Sequence, residues 1–355
     1  MNKLPRLCAF DLVRCVAIFL VLAHHFTNGN VSVVPKSWSF NGFSIGSLGV
    51  SMFFILSGAA LRYSDEGKYS LGRFVRSRFF SIFPIFWVGF AGAHLVYYLH
   101  FWGGGSPFLG IPKWKLVFSL LACDGWLGFL GPNFCVIGEW FLGCIIIIYA
   151  FYPIIRRLVE KWPIAVLAVQ LALVFVLADR SVLHIPPFTN PLFRCFEFSC
   201  GVAFSRWGLV ASSPDDKKRP RRLLLSSIAF AVVGLFVSLV SRHPSSAITF
   251  ATIFLIGIIG FVVVYLIGDA ICSVRAQKAI EVLSRYSFAA FLCHHVIANM
   301  LLSFYLSHGH VDTCHTILWF VLYLLITACT SFVLYAIGSY FARGLKNSFQ
   351  RLAAR

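Results

Sequence analysis

Acidic charge is scarce in this chain. Its 355 residues hold only 13 Asp and Glu against 30 Lys and Arg, and charged residues of both signs make up 12% of the total. Soluble domains carry about twice that share, so a water-exposed surface of ordinary size is excluded. The 11 cysteines show no CxxC pair and no zinc-like spacing. They read as small buried hydrophobes rather than as a redox or metal centre. An internal repeat is also missing, which speaks against an inverted-repeat transporter.

What the chain does have is apolar length. Hydrophobic residues make up 59% of it, mean hydropathy is +0.83, and runs of about 20 residues, enough to cross a bilayer as a helix, recur from end to end. The pattern predicts an all-α integral membrane protein with about ten transmembrane helices in one bundle. The spans fall near 8–27, 43–62, 79–100, 134–155, 163–179, 193–207, 223–241, 247–267, 286–307 and 315–341. The whole of 1–355 reads as a single polytopic domain, with no separate extracytoplasmic domain expected.

The net charge of +17 would suggest nucleic acid in a soluble protein. Its distribution argues otherwise. With the N-terminus inside, 23 Lys and Arg collect on the inner side and five in the outer loops. That asymmetry is the positive-inside signature of a cytoplasmic membrane protein with both termini cytoplasmic. A signal-peptide reading of the first run fails, because Arg14 interrupts it and no small-residue cleavage site follows His25. Three segments break the succession of spans: a basic inner loop at 63–78, a Gly- and Trp-containing outer loop at 102–133, and the polar inner linker "SSPDDKKRPRR" at 212–222. The outer loop is expected to hold a short re-entrant or interfacial piece near 114–122.

Ionisable residues inside spans are costly and mark reaction or transport paths. The first span, "FDLVRCVAIFLVLAHHF", contains Asp11, Arg14, His24 and His25. On a helix, Arg14 and His25 fall within about 20° of one line and about 16 Å apart along the axis. Asp11 precedes Arg14 by three residues and can pair with it. A second imidazole pair, His294 and His295, lies about 12 Å into the ninth span. Glu139 opens the fourth span and Arg194 the sixth, both in the outer half, where they could form an ion pair or serve a ligand. His308, His310 and His315 read as polar loop residues, and no metal site is expected.

These residues resemble the membrane acyltransferase-3 family. Its opening Asp, Arg and His are matched by Asp11, Arg14 and His25. "GVSMFFILSGAALR", with Ser57 and Gly58, is similar to its second span, and "RFVRSRFFSIFPIFW" to the Arg-rich start of its third. Trp140, Leu142, Tyr149 and Pro153 follow its fourth-span pattern. Arg194, Phe198 and Gly201 follow its sixth, and Tyr286, Ser287, Leu292 and His294 its ninth. Two positions depart from it: Ser81 stands where a second Arg is frequent, and Ile145 where many members carry Glu.

The resemblance implies an O-acyltransferase that moves an acyl group, usually acetyl from acetyl-CoA, to a hydroxyl of a sugar or cell-surface glycan. His25 is then expected to act as general base in direct transfer, or in the alternative to take the acyl group first, with Arg14 and Asp11 beside it. Arg14, Arg73, Arg76, Arg78 and Ser57 become donor contacts. Glu139, Arg194, His294 and Trp140 become acceptor contacts. Acetyl-CoA would be a co-substrate and no cofactor is permanently bound; the other partners are membrane lipid and, in one arrangement, a second copy of the chain. The rival is a transporter of a sugar or lipid-linked glycan that uses the same Arg and His for substrate or proton binding.

Overall fold

The computed structural model describes residues 5–28, 44–65, 69–100, 108, 110–177, 185–210, 246–271, 274–307 and 313–353. Among the described residues the regular elements are all helices, with no strand. The α-helices are α1 (Cys8–Asn28), α2 (Ile45–Ser64), α3 (Leu71–His100), α4 (Leu116–Leu120), α5 (Glu139–Lys161), α6 (Pro163–Leu177), α7 (Pro191–Arg206), α8 (Ser246–Ile271), α9 (Val274–Ser307) and α10 (Thr313–Ala353). Short 3-10 turns lie at Lys113–Lys115, Trp126–Leu130 and Pro187–Thr189.

Six of these helices, α1, α2, α3, α5, α8 and α10, are long and apolar enough to cross a membrane. The apolar α6 has 15 residues, about 22 Å of rise, which is short of a hydrocarbon core of about 30 Å. The span expected at 223–241 lies outside the described residues.

Several boundaries differ from those read in the sequence. The third helix starts at Leu71 rather than 79, so the basic run is helical and not a loop; arginine is a good helix former. The fourth starts at Glu139 rather than 134, because Gly138 and Glu139 both take positive φ and no helix can pass through them. The last helix runs to Ala353, 41 residues in all. Eight cysteines are free thiols among the described residues. Cys8 is disulfide-bonded, which corrects the reading of that residue as an inert hydrophobe.

The chain divides into two compact units. The first gathers 1–24, 35–68 and 147–285. There α2 packs on α7 at two glycines: a Cβ on Gly58 would meet the Phe198 carbonyl, and one on Gly201 the Ile55 carbonyl. Small residues at such crossings let membrane helices approach closely. Helix α7 begins with Asn190 as its cap, the side chain accepting from the Leu192 N–H, and Pro191 at its first position. Phe193, Phe196, Phe250 and Phe254 pack around Val174 to close that side of the core.

The second unit gathers 25–34, 69–146 and 286–355. Its frame is α3 against α10, where Gly338 leaves room for Ile85. The segment between α3 and α5 is tied down from several sides. Trp87 Nε1 donates to the Leu120 carbonyl (3.0 Å), Lys115 Nζ to that of Pro132 (2.7 Å), and Asn133 Nδ2 to that of Asp124 (2.6 Å).

Candidate functional site

The second unit brings three imidazoles onto one carboxylate. Glu139 Oε2 lies 3.3 Å from His25 Nε2. Its other oxygen, Oε1, lies 3.4 Å from His294 Nε2 and 3.2 Å from His295 Nδ1. The rings of His294 and His295 each sit 4.9 Å from that of His25. His294 is fully buried and the Glu139 side chain is 17% exposed, whereas that of His295 is 40% exposed. The cluster therefore runs from a dry end at His294 to a wet one at His295.

Each member is aimed by its local structure. His25 stands in the last turn of α1, and its neighbour Phe26 packs on Phe320 and Tyr323 of α10 at 5.1 and 5.5 Å. Glu139 is the first residue of α5, with φ 44° directly after Gly138 at φ 83°. The left-handed region costs a residue with a side chain about 1–2 kcal/mol, and such strain gathers where a side chain must point in one particular direction. Gly125 presses on the Glu139 backbone so closely that any Cβ there would collide with it. Phe141 then stacks edge-on with Phe291 of α9 at 5.3 Å, next to the histidine pair.

His294 has a fixed tautomer. Its Nδ1 lies 2.7 Å from the Phe291 carbonyl, which can only accept, so Nδ1 carries a hydrogen. A neutral ring consequently turns the Nε2 lone pair toward Glu139 Oε1, and both atoms are buried without a hydrogen-bond partner. That contact is attractive only with a proton, or another electrophile, between them. His25, Glu139 and His294 also offer ligand atoms within 4.8 Å of one another, a nitrogen–oxygen set of the kind that zinc or iron takes. The sequence reading sought metal ligands only near residue 310 and missed this set.

The remaining site residues read from the sequence are distributed as follows. Trp140 follows Glu139 and meets Phe141 edge-on at 6.3 Å. Arg73, Arg76 and Arg78 lie in the first turns of α3, the first two exposed and Arg78 half-buried, with the Arg76 guanidinium 5.9 Å from the Phe80 ring. Ser57 is half-buried on α2 in the first unit. In that unit too, Asp11 accepts from Arg6 (2.6 and 3.0 Å), Arg14 (3.1 Å) and Ser284 (2.6 Å), and Arg14 also donates to Ser284 (2.9 Å). Arg194 finds its carboxylate on its own helix, at Glu197 (2.9 Å), and donates to the Phe188 carbonyl (2.9 Å). The ion pair weighed from the sequence was Glu139–Arg194; the partners seen within each unit are Glu197 for Arg194 and the histidines for Glu139. His295 and Tyr323 were not assigned from sequence. The buried hydroxyl of Tyr323 has no hydrogen-bond partner.

Comparison with known proteins places the chain in a family. The acyltransferase-3 family, described as "Acyltransferase domain", matches residues 9–336. The acyltransferase MdmB of Streptomyces mycarofaciens is 35% identical over 130 residues, covering 34% of this chain and 31% of that relative. The chain thus aligns with less than a third of that relative's length. No solved structure matches. With nearly its full length matched, from before Asp11 to beyond His294, the chain belongs to the acyltransferase-3 family.

Proposed function

We propose that this protein is a membrane O-acyltransferase. It moves an acyl group, acetyl in the simplest case, from a cytoplasmic coenzyme A thioester to a hydroxyl of a sugar or cell-surface glycan. The observation that carries the reading is the cluster of three imidazoles on Glu139, in a chain of an acyltransferase family. A carboxylate 3.3 Å from His25 favours the imidazolium that forms when that ring takes a proton, as the acid does in hydrolytic triads.

In this reading the acceptor O–H gives its proton to His25 as the oxygen attacks the thioester carbonyl. The new O–C bond forms, the C–S bond breaks, and the imidazolium returns the proton to the departing thiolate. The products are an O-acyl ester and free coenzyme A. His294 and His295, once the cluster holds a proton, are donors for the oxyanion of the tetrahedral intermediate. Arg73, Arg76 and Arg78 supply guanidinium groups for the donor phosphates. Arg14 is assigned to the donor as well, with Asp11 and Ser284 holding its side chain. Trp140, beside Glu139, is assigned to the sugar face of the acceptor.

The same proposal has ten spans in the cytoplasmic membrane and both termini inside, on the asymmetry of basic residues. A second reading follows from the ligand geometry: a divalent ion held by His25, Glu139 and His294 would polarise the thioester instead. Metal analysis of the purified protein separates the two, since the proton mechanism expects no stoichiometric ion and full activity after chelation. The decisive experiment is mass spectrometry of surface glycans from cells with the wild-type protein and with His25→Ala. An acyl ester present with the first and missing with the second is expected; identical glycans would end the proposal.

A further inference from the structure

Beside the cluster, and inside the same unit, is an apolar cavity of about 480 Å³ walled by α3, α9 and α10. Its volume lies within the range of bound small-molecule sites and is far larger than a two-carbon group needs. Only Thr330 and Cys293 bring a hydroxyl or thiol to its wall, and no charged side chain lines it. A sugar would lose its hydrogen bonds here and a phosphate its counter-charges. The lining suits hydrocarbon.

Two features separate this cavity from an ordinary lipid-facing furrow. The first is its direction. The mouth is formed by exposed Val96, Val333 and Ile337, while the inner wall holds Leu292, Ile137 and Cys293, which are almost fully buried. Ile137 is two residues from Glu139, Cys293 adjoins His294, and Leu301 stands two turns from His294 on nearly the same helix face. The cavity therefore deepens toward the imidazoles. The second is its α3 wall, where Gly89, Gly92 and Ala93 line the space. A glycine inside a helix costs roughly 0.5–1 kcal/mol relative to alanine and is usually explained in a membrane helix by close approach of a neighbour. Gly92 is exposed at the open side of this wall, and a Cβ there would meet nothing within 4 Å, so no neighbouring helix accounts for it. The missing side chain leaves open volume.

We propose that this cavity receives the hydrocarbon chain of the donor thioester, so that the transferred group extends beyond acetyl to acyl chains of medium length. The inference rests on the acyl-transfer reading of the cluster. The carbonyl is presented to His25 at the inner end, and the chain lies back between α3, α9 and α10. Hydrocarbon could also reach this space as a phospholipid tail, and the test separates the two sources.

In proteoliposomes, release of coenzyme A thiol is followed with acetyl-CoA and octanoyl-CoA, water standing in for the acceptor. The expected result is that Gly92→Phe lowers the octanoyl-to-acetyl ratio of kcat/KM about tenfold or more, the scale on which apolar pockets discriminate chain methylenes. A ratio that Gly92→Phe leaves unchanged overturns the proposal. In parallel, octanoyl-CoA bearing a terminal diazirine is cross-linked to the wild-type protein. Label on the lining peptides of α3, α9 or α10, competed by octanoyl-CoA, supports the pocket. Label elsewhere, or phospholipid chains that octanoyl-CoA does not displace, overturns it. Specific labelling of the lining without thiol release from either thioester would uphold the chain pocket and remove the acyl-transfer reading instead.

Discussion

Both units bury carboxylates in apolar surroundings, and they neutralise them by opposite means. In the first unit Asp11 and Glu197 are held by guanidinium groups at 2.6–3.1 Å. Arginine does not release its proton in proteins, so the cationic half of those pairs does not titrate. In the second unit the ion-pair partners of Glu139 among the described residues are imidazoles, at 3.2–3.4 Å. An imidazole, unlike a guanidinium, exists both neutral and protonated, so the charge of this cluster depends on how many protons it holds. One arrangement fixes side chains in place and the other can exchange protons. The contrast is a matter of side-chain chemistry, not of burial, for Glu197 is the more deeply buried of the two acids.

The most direct way to break the contrast is to remove the titrating partners. His25→Ala and, separately, Glu139→Gln should each lower the rate of thiol release by about 10²–10⁴-fold, with the protein still inserted, as checked by membrane fractionation and thermal melting. The opposite signature is expected in the first unit. Arg194→Ala strands Glu197 as an unpaired buried charge, at a cost of about 3–5 kcal/mol, read as loss of folded protein in detergent. Correctly folded Arg194→Ala with a selective loss of transfer would instead place that residue at the reaction.

A subtler change is Gly125→Ala. The added methyl collides with the Glu139 backbone and should displace its carboxylate, lowering activity about 10–100-fold with a smaller effect on melting. The smallest effect concerns Asp124, in the loop before α5. Burial pushes its carboxyl pKa above the usual value, although Ser119 and the Gly125 N–H oppose that rise. The folded chain thus keeps this proton to higher pH than the unfolded chain does. The resulting stabilisation is complete below the usual carboxylate range and is lost as pH climbs through the raised value. Asp124→Asn cannot ionise and should raise the melting midpoint at neutral pH by on the order of 2 °C. A melting curve series against pH checks both the sign and the flattening.

Much of the architecture was written locally. The bounds read from apolar run length fall within a few residues of most ends of the described helices, since hydrocarbon thickness sets a helix length that composition reports directly. The costly doublets His24–His25 and His294–His295 singled out α1 and α9. Convergence of the imidazoles on Glu139 was not legible, because it depends on residues 25, 139 and 294 meeting across more than a hundred positions each. The left-handed pair Gly138–Glu139 that aims the carboxylate left only a faint trace, a glycine just before the helix. The partner of Arg194 was legible and was overlooked: Glu197 stands three residues on, the spacing at which side chains on one helix meet. The apolar cavity left no signal beyond two glycines in α3, which sequence alone cannot distinguish from helix-crossing sites.

The bond from His294 Nδ1 to the Phe291 carbonyl has one more consequence. A ring tethered at one nitrogen can load and unload hydrogen only through the other, so it acts as a terminus and not as a stepping stone. Nε2 is thus the one nitrogen of that ring through which the cluster can exchange a proton with it, and the backbone of α9, by holding Nδ1, decides which side of the imidazole meets Glu139.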